Sequence, residues 1–426
     1  MIPAIEIIIF EFLLNQFDRR VIDDPAYNSN SKTFARNLHR KWIIDDDPFD
    51  TNQILHPYAG TIYHGSARSA GLNFWESTGY TFLGSALWET AGETGRPSFN
   101  DQIATGVGGS FMGEALFRMA SWTLEGEKNP SNWRENTAGL LSPPLLVNRR
   151  VFGDRFDAVF QSRNPAVFAR AGLGGSLNTR VSNRGVSGDV SRNKLVGNFE
   201  MDYGLPGKSE YQYTRPFDYF HIEGIATSSP DAIVENIFAR GLLVGREYGS
   251  SNYRGVAGVY GSFSYLSPEL FQLSTTAVSL GTTGQWWLTN SLALQGTCLG
   301  GGGYGAAGTT TDTKADRDYH YGVVPQGLLA LRLILGNFAM LDASARNYYV
   351  SGAGSNDNGR SENILREQLA LTFRIYERHA LGLQYDLSLR DAPDAAFADR
   401  RQSVETTSLV YSYLFGNTHA GLAAVK

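Results

Sequence analysis

Charge and cysteine are both scarce in this chain. Asp, Glu, Lys and Arg make up 19% of its 426 residues, against about 25% in an ordinary soluble domain. The single cysteine, Cys298, excludes an internal disulfide and any multi-cysteine zinc site. No stretch approaches the ~18 uninterrupted apolar residues of a membrane-spanning helix. The formal net charge is −5 and no basic stripe stands out, so nucleic acid is not an expected partner. Catalytic motifs are missing as well. There is no HExxH, no His-x-x-x-His pair and no G-x-S-x-G elbow; Gly109-Ser110 falls in mid-helix. Gly303-x-Gly305-x-x-Gly308 fits a dinucleotide pattern, but it lies in a β-type run with no helix after it and is a chance match in a glycine-rich strand. No cofactor and no metal are expected.

Glycine and aromatics are abundant instead: 47 Gly, 24 Phe and 21 Tyr. A membrane β-barrel uses glycine at bends and crowded interior positions, and aromatics at the two lipid–water girdles. The opening MIPAIEIIIFEFLLNQFDRR has no basic lead and carries Glu6 and Glu11, so it reads as the first helix of a mature chain rather than a signal peptide. Residues 1–150 read as helical: 4–19, 32–42, then 56–71, 72–93 and 98–124, with a turn at 45–50. Pro97 followed by Ser98-Phe99-Asn100-Asp101 is a helix-start signal. Gly60, Gly65 and Gly71, then Ser77, Gly84 and Ser85, then Gly106, Gly109 and Gly113, recur at helical spacing. Such small residues let helix backbones approach closely. The expectation is a close-packed helical domain that plugs or caps a barrel, or a compact helical domain in its own right.

From about residue 164 the period falls to two. Leu381, Leu383, Tyr385, Leu387 and Leu389 alternate with Gly382, Gln384, Asp386, Ser388 and Arg390. Segments 365–376 and 194–203 repeat the pattern, and strict alternation gives one apolar and one polar face. About twelve such segments occupy 151–426, separated by turns such as Leu205-Pro206-Gly207, Ser228-Ser229-Pro230-Asp231, Ser267-Pro268 and Leu335-Gly336-Asn337. The predicted fold is mainly β: an antiparallel transmembrane barrel of about twelve strands after an α-helical N-terminal domain. Arg332, Arg346, Arg366, Arg374, Arg390, Glu200, Asp202, Asp342 and Asp386 share the polar face. Alternation alone allows a soluble barrel with the faces reversed. Long strands, low charge and aromatics near strand ends (Trp286, Trp287, Tyr348, Tyr349, Tyr411, Tyr413, Phe415) favour lipid outside and charge inside.

The run His56-Pro57-Tyr58-x-Gly60-x-x-Tyr63-His64-x-x-Ala67-Arg68-Ser69-x-Gly71, with Phe74-Trp75-Glu76-Ser77, Trp88-Glu89-x-x-Gly92-Glu93 and Pro97-Ser98-x-Asn100-Asp101, resembles the bacterial family defined by domain of unknown function 3943. Asp154-Arg155-Phe156, Tyr203-Gly204-Leu205-Pro206-Gly207, Arg215-Pro216-Phe217-Asp218-Tyr219 and the 281–287 run extend the resemblance. It implies a bacterial envelope protein and no established activity.

Two roles compete for the polar residues of the helices. His56, His64, Glu76 and Glu89 are the candidates for general-base chemistry, for example on a lipid ester, and two His with a Glu could instead hold a metal, though the motif signal for that is weak. Alternatively Arg68, Glu93, Asp101, Glu114 and Arg118 form a buried network tying the helices together and to a lumen set of Arg332, Arg366 and Arg374. His64/Arg68, Glu89/Glu93 and Glu114/Arg118 are each i,i+4 pairs on one helix face. Three functions follow: a non-enzymatic outer-membrane barrel that passes or binds a ligand or lipid or anchors an envelope assembly, a lipid-modifying enzyme, or a soluble two-domain protein. Expected partners are outer-membrane lipid and other envelope proteins, with the bacterial outer membrane as location.

Overall fold

The computed structural model describes residues 1–126, 130–156, 160–183, 186–188, 194–230, 233–310, 318–353, 360–392 and 400–417. It divides into two units, Met1–Arg163 and Asn164–Lys426.

The first unit is helical. Its α-helices are α1 (Ile2–Phe17), α2 (Ser31–Asn37), α3 (His56–Ser69), α4 (Phe74–Leu87), α5 (Phe99–Ile103), α6 (Gly109–Leu124), α7 (Asn132–Leu141) and α8 (Pro143–Phe152). Wider π-turns continue α4 to Gly92 and bridge α5 to α6. Side chains start the helices where the sequence placed start signals. The Asn73 carboxamide accepts from the Trp75 and Glu76 N–H groups, and Glu76 accepts from the Asn73 N–H at 2.9 Å. Ser98 Oγ accepts from the Asp101 N–H. Neither α7 nor α8 has a side-chain cap at its start.

The small residues set how α3 meets α6. A Cβ placed on Gly60 would lie 2.3 Å from the Thr105 carbonyl oxygen, and one on Gly109 would lie 2.6 Å from Gly60 Cα. The two backbones therefore touch, and only glycine permits the crossing. Below it, Phe117, Ala120, Ala138 and Leu145 pack α6 against α7 and α8. No helix among the described residues is long and apolar enough to cross a membrane.

The second unit is a closed twelve-stranded antiparallel barrel. Its strands are β1 (Val167–Asn183), β2 (Leu195–Tyr203), β3 (Phe220–Thr227), β4 (Val234–Gly249), β5 (Tyr253–Leu266), β6 (Phe271–Thr289), β7 (Leu292–Thr309), β8 (Tyr319–Leu335), β9 (Ala339–Val350), β10 (Glu362–Tyr376), β11 (His379–Ala392) and β12 (Arg400–Gly416). Each pairs with the next in sequence, and β12 pairs with β1 from Phe168↔Gly416 to Asn183↔Gln402. A three-residue strand, Val186–Gly188, extends the far end of β1. Closure of β12 onto β1 removes the two long edges that the same strands would leave in an open sheet. Short turns at 250–252, 290–291, 336–338 and 377–378 mark one end. The predicted turn at 228–231 includes Asp231, which lies outside the described residues.

One connection at the short-turn end is long, 204–219. Gly204 takes a φ of +74°, and a Cβ there would collide with the Asp218 carbonyl. The Asp218 carboxylate accepts from the Thr214 and Arg215 N–H groups at 3.0 and 2.7 Å. Phe217 covers the bare backbone of Gly241. The Tyr-Gly-Leu-Pro-Gly and Arg-Pro-Phe-Asp-Tyr runs are thus the two ends of one built loop.

Candidate functional site

The barrel decides which face meets lipid. Leu383 is 49% exposed and its neighbour Gln384 is 9% exposed. Leu173, Leu280, Leu329, Leu369, Phe373 and Leu409 are likewise exposed, whereas Glu200, Asp202, Arg332, Arg346, Arg366, Asp386 and Arg390 are buried. The apolar side chains point out and the charged ones point in. A closed barrel of this polarity is a membrane-spanning barrel of the outer-membrane type, and the soluble alternative is corrected.

Inside, the charges pair across the lumen. Arg332 on β8 reaches Asp202 on β2 at 2.9 Å and also binds Glu200, as well as Asp342 on the adjacent β9. Arg170 on β1 binds Glu200 at 2.6 Å and Asp342 at 2.9 Å. His221 on β3 joins Asp202 at 2.9 Å and faces Glu223 at 3.6 Å. Arg346 on β9 crosses to Glu223 at 2.7 Å. Farther along, Arg366 on β10 binds Asp386 at 2.8 Å and Glu235 on β4 at 3.1 Å, and Lys194 binds Glu235 at 3.1 Å. Arg390 forks onto Glu362 at 2.6 and 2.7 Å and also donates to Thr309 and Gln402. A polar cavity of about 120 Å³ remains among Arg170, Glu200, Asp202, His221, Arg332 and Arg346. That is room for several water molecules.

Two sequence expectations change here. Arg374 does not join the lumen set; it sits at the short-turn end and donates to the carbonyls of Glu377 and Asn337. Tyr348 is not an interfacial aromatic; it faces inward and donates to Ser264 Oγ at 3.1 Å. Lys194, on the polar face of segment 194–203, joins the network, as do Arg170, His221, Glu223, Glu235 and Glu362, which the sequence did not single out. The period-two signal that marks Arg332 also covers them, but cross-barrel partners appear only once all strands are registered.

The helical unit holds two polar centres. In the first, Glu114 sits fully buried at the α3–α6 crossing. It accepts from Arg68 Nε at 2.7 Å, Arg118 Nε at 2.8 Å and His64 Nε2 at 3.1 Å. Arg68 and Arg118 stack on Phe160, with Phe117 also under Arg68. Burial would raise the Glu114 pKa, but Arg68, His64 and Arg118 together hold its carboxyl well below the usual range. Burial keeps the His64 pKa low, so the neutral ring donates to Glu114. Both groups are sealed from solvent, and the carboxylate is shared between two arginines and the ring.

The second centre gathers His56, Glu89 and Asp101. His56 Nε2 faces Asp101 Oδ2 at 3.8 Å, and Glu89 accepts from the Ser98 N–H at 2.7 Å. Burial raises the Glu89 and Asp101 pKa values and lowers that of His56 to about 4. Glu93 stands beside it, accepting from Trp88 Nε1 at 2.7 Å, with its pKa pushed by burial to about 7. Glu76, by contrast, is the exposed capping residue of α4 and lies in neither centre.

Among solved structures, the barrel is similar to the toluene transporter TodX of Pseudomonas putida, at 9% identity over 59% of this chain and 90% of that one, with a TM-score of 0.24. It is similar to an outer membrane channel of Pseudomonas putida F1, at 11% identity over 59% and 96%, with a TM-score of 0.31. A loop-deleted OmpT of Vibrio cholerae matches at 10% identity over 58% and 99%, with a TM-score of 0.23. No curated protein matches the sequence. Residues 41–144, which carry α3 to α6 and both polar centres, match the family model described as "Domain of unknown function (DUF3943)".

Proposed function

We propose that this chain is a non-enzymatic outer-membrane barrel whose passage is closed by its own side chains and carries small polar or ionic solutes once that closure is released. The ion pairs from β8 to β2 and from β9 to β3 carry this reading, because they tie opposite walls together across the lumen. The remaining cavity of about 120 Å³ is below the roughly 300–1,000 Å³ of sites for drug-sized ligands. Closure from within makes a helical plug unnecessary. The helical unit then serves to anchor lipid or an envelope partner. Its α1 supports that role by exposing Ile5, Ile8, Ile9, Phe12 and Leu13 along one face.

Reconstitution in planar bilayers tests the closure. The intact chain should conduct little, and an Arg332→Ala, Arg346→Ala double variant should conduct several-fold more. Large ohmic conductance from the intact chain, or an unchanged double variant that is folded, would sink the proposal.

A further inference from the structure

Two places in the described residues bring three or more metal-ligating groups together: Glu200, Asp202 and His221 in the barrel, and His56, Glu89 and Asp101 in the helical unit. They differ in one decisive respect. The barrel carboxylates already hold cations of their own, since Arg170 and Arg332 bind Glu200 and Arg332 binds Asp202. The strongest charges acting on Glu89 and Asp101 are other carboxylates, including Glu93 and Asp45. Buried like charges without a counter-ion are costly.

The donor geometry suits one ion. The ligand atoms of His56, Glu89 and Asp101 all lie within 4.8 Å of one another. Two donors each ~2.1 Å from a common ion are at most ~4.2 Å apart, and His56 Nε2 and Asp101 Oδ2 are 3.8 Å apart. His56 is 9% exposed. Its Nδ1 is held by Thr105 Oγ1 at 3.3 Å, whereas its Nε2 faces Asp101 Oδ2. Outer contacts fix the other donors. The Ser98 N–H holds Glu89, Asn100 Nδ2 holds Asp101 at 3.0 Å, and Asn52 and Asn100 hold the adjoining Asp45 at 2.7 and 2.9 Å. A ligating imidazole fixed through its other nitrogen, beside carboxylates fixed by hydrogen bonds, is the usual support of a metal centre.

We infer that His56, Glu89 and Asp101, backed by Asp45, bind one divalent first-row transition-metal cation in the helical unit. The imidazole ligand favours Zn²⁺ over the oxygen-preferring cations Ca²⁺, Mg²⁺ and Mn²⁺. The ion would join α3, the π-turn after α4, and α5.

The test uses the full chain in detergent, stripped with EDTA and then titrated with Zn²⁺ alone. Elemental analysis after dialysis should find one equivalent. At ~100-fold excess over Kd, the helical unfolding transition should rise by about 5–10 °C. Asp101→Asn and Glu89→Gln should each lose most of the bound Zn²⁺ and most of that rise. Their metal-free transitions should stay at or above the wild-type value, because an amide relieves the repulsion. That readout separates a lost ligand from a broken fold. Wild-type protein that retains no Zn²⁺ and shows no shift, or folded variants that bind as the wild type does, would overturn the inference.

Discussion

Alanine at Gly109 should weaken the helical unit, while alanine at Gly79 should strengthen it. Both glycines lie in helices, so both gain about 1 kcal/mol of intrinsic helix stability on substitution. Their surroundings are opposite. A Cβ on Gly109 would sit 2.6 Å from Gly60 Cα and 2.9 Å from both Gly60 C and Pro57 O, all backbone atoms that no rotamer change can move. Gly79 is exposed on α4, and its Cβ would meet nothing within 4 Å. Overpacking costs ~1–3 kcal/mol, and the rigid backbone contact at Gly109 places it toward the upper end. The net loss should be about 1–2 kcal/mol after the propensity gain. For a unit of this size that lowers the transition by about 2–8 °C, against a rise of about 1–4 °C for Gly79→Ala. Far-ultraviolet circular dichroism at 222 nm follows the helices preferentially during a thermal scan. A Gly109→Ala protein melting at or above the wild type would refute the claim that the α3 and α6 backbones are in contact.

Three further outcomes follow from the packing and the charges. Glu114→Ala leaves Arg68 and Arg118 buried without their carboxylate and should cost about 3–5 kcal/mol, read as a collapse of the helical transition or loss of folded protein. Burial raises the Glu11 carboxyl to about 8, above its unfolded value. The folded state therefore holds the proton longer, and the associated stability is present below about pH 4.5 and lost as pH rises through about 8. A Tm profile should fall across that window and flatten in Glu11→Gln; an unchanged slope would remove Glu11 from the account. Leu383→Arg puts a charge on the lipid face at a cost of about 2–4 kcal/mol near the bilayer midplane. It should reduce the folded, heat-modifiable species on gels, which an assembly yield equal to wild type would contradict.

Much of the barrel was legible in the sequence because period-two alternation is a local property. Leu381 to Arg390 declares its two faces without reference to any other strand. The direction of those faces is not local, since a reversed soluble barrel has the same alternation; exposed Leu383 beside buried Gln384 resolves it. Strand ends are harder. Arg374 continues the polar alternation of β10 but lies where the strand turns, so it serves carbonyls of the turn instead of the lumen. In the helical unit, i,i+4 spacing pointed to the His64–Arg68 and Glu114–Arg118 faces that meet at Glu114. It could not assemble His56, Glu89 and Asp101, which lie on three separate elements and share no spacing. Helices α7 and α8 were harder to bound because neither starts on a side-chain cap.

The cross-lumen pairs also bear on how the barrel assembles. Arg332 and Glu200 are 132 residues apart in sequence and sit on β8 and β2. In an open sheet those two strands are far apart, and their inward charges face no opposite wall. They meet only after β12 has zipped onto β1. Ring closure therefore acts as a latch: an open sheet can form only the neighbouring-strand pairs, such as Arg332–Asp342 and Arg170–Glu200, and the closed ring adds Arg332–Asp202 and Arg346–Glu223 together. The same pairs that close the passage should make the final step of assembly cooperative.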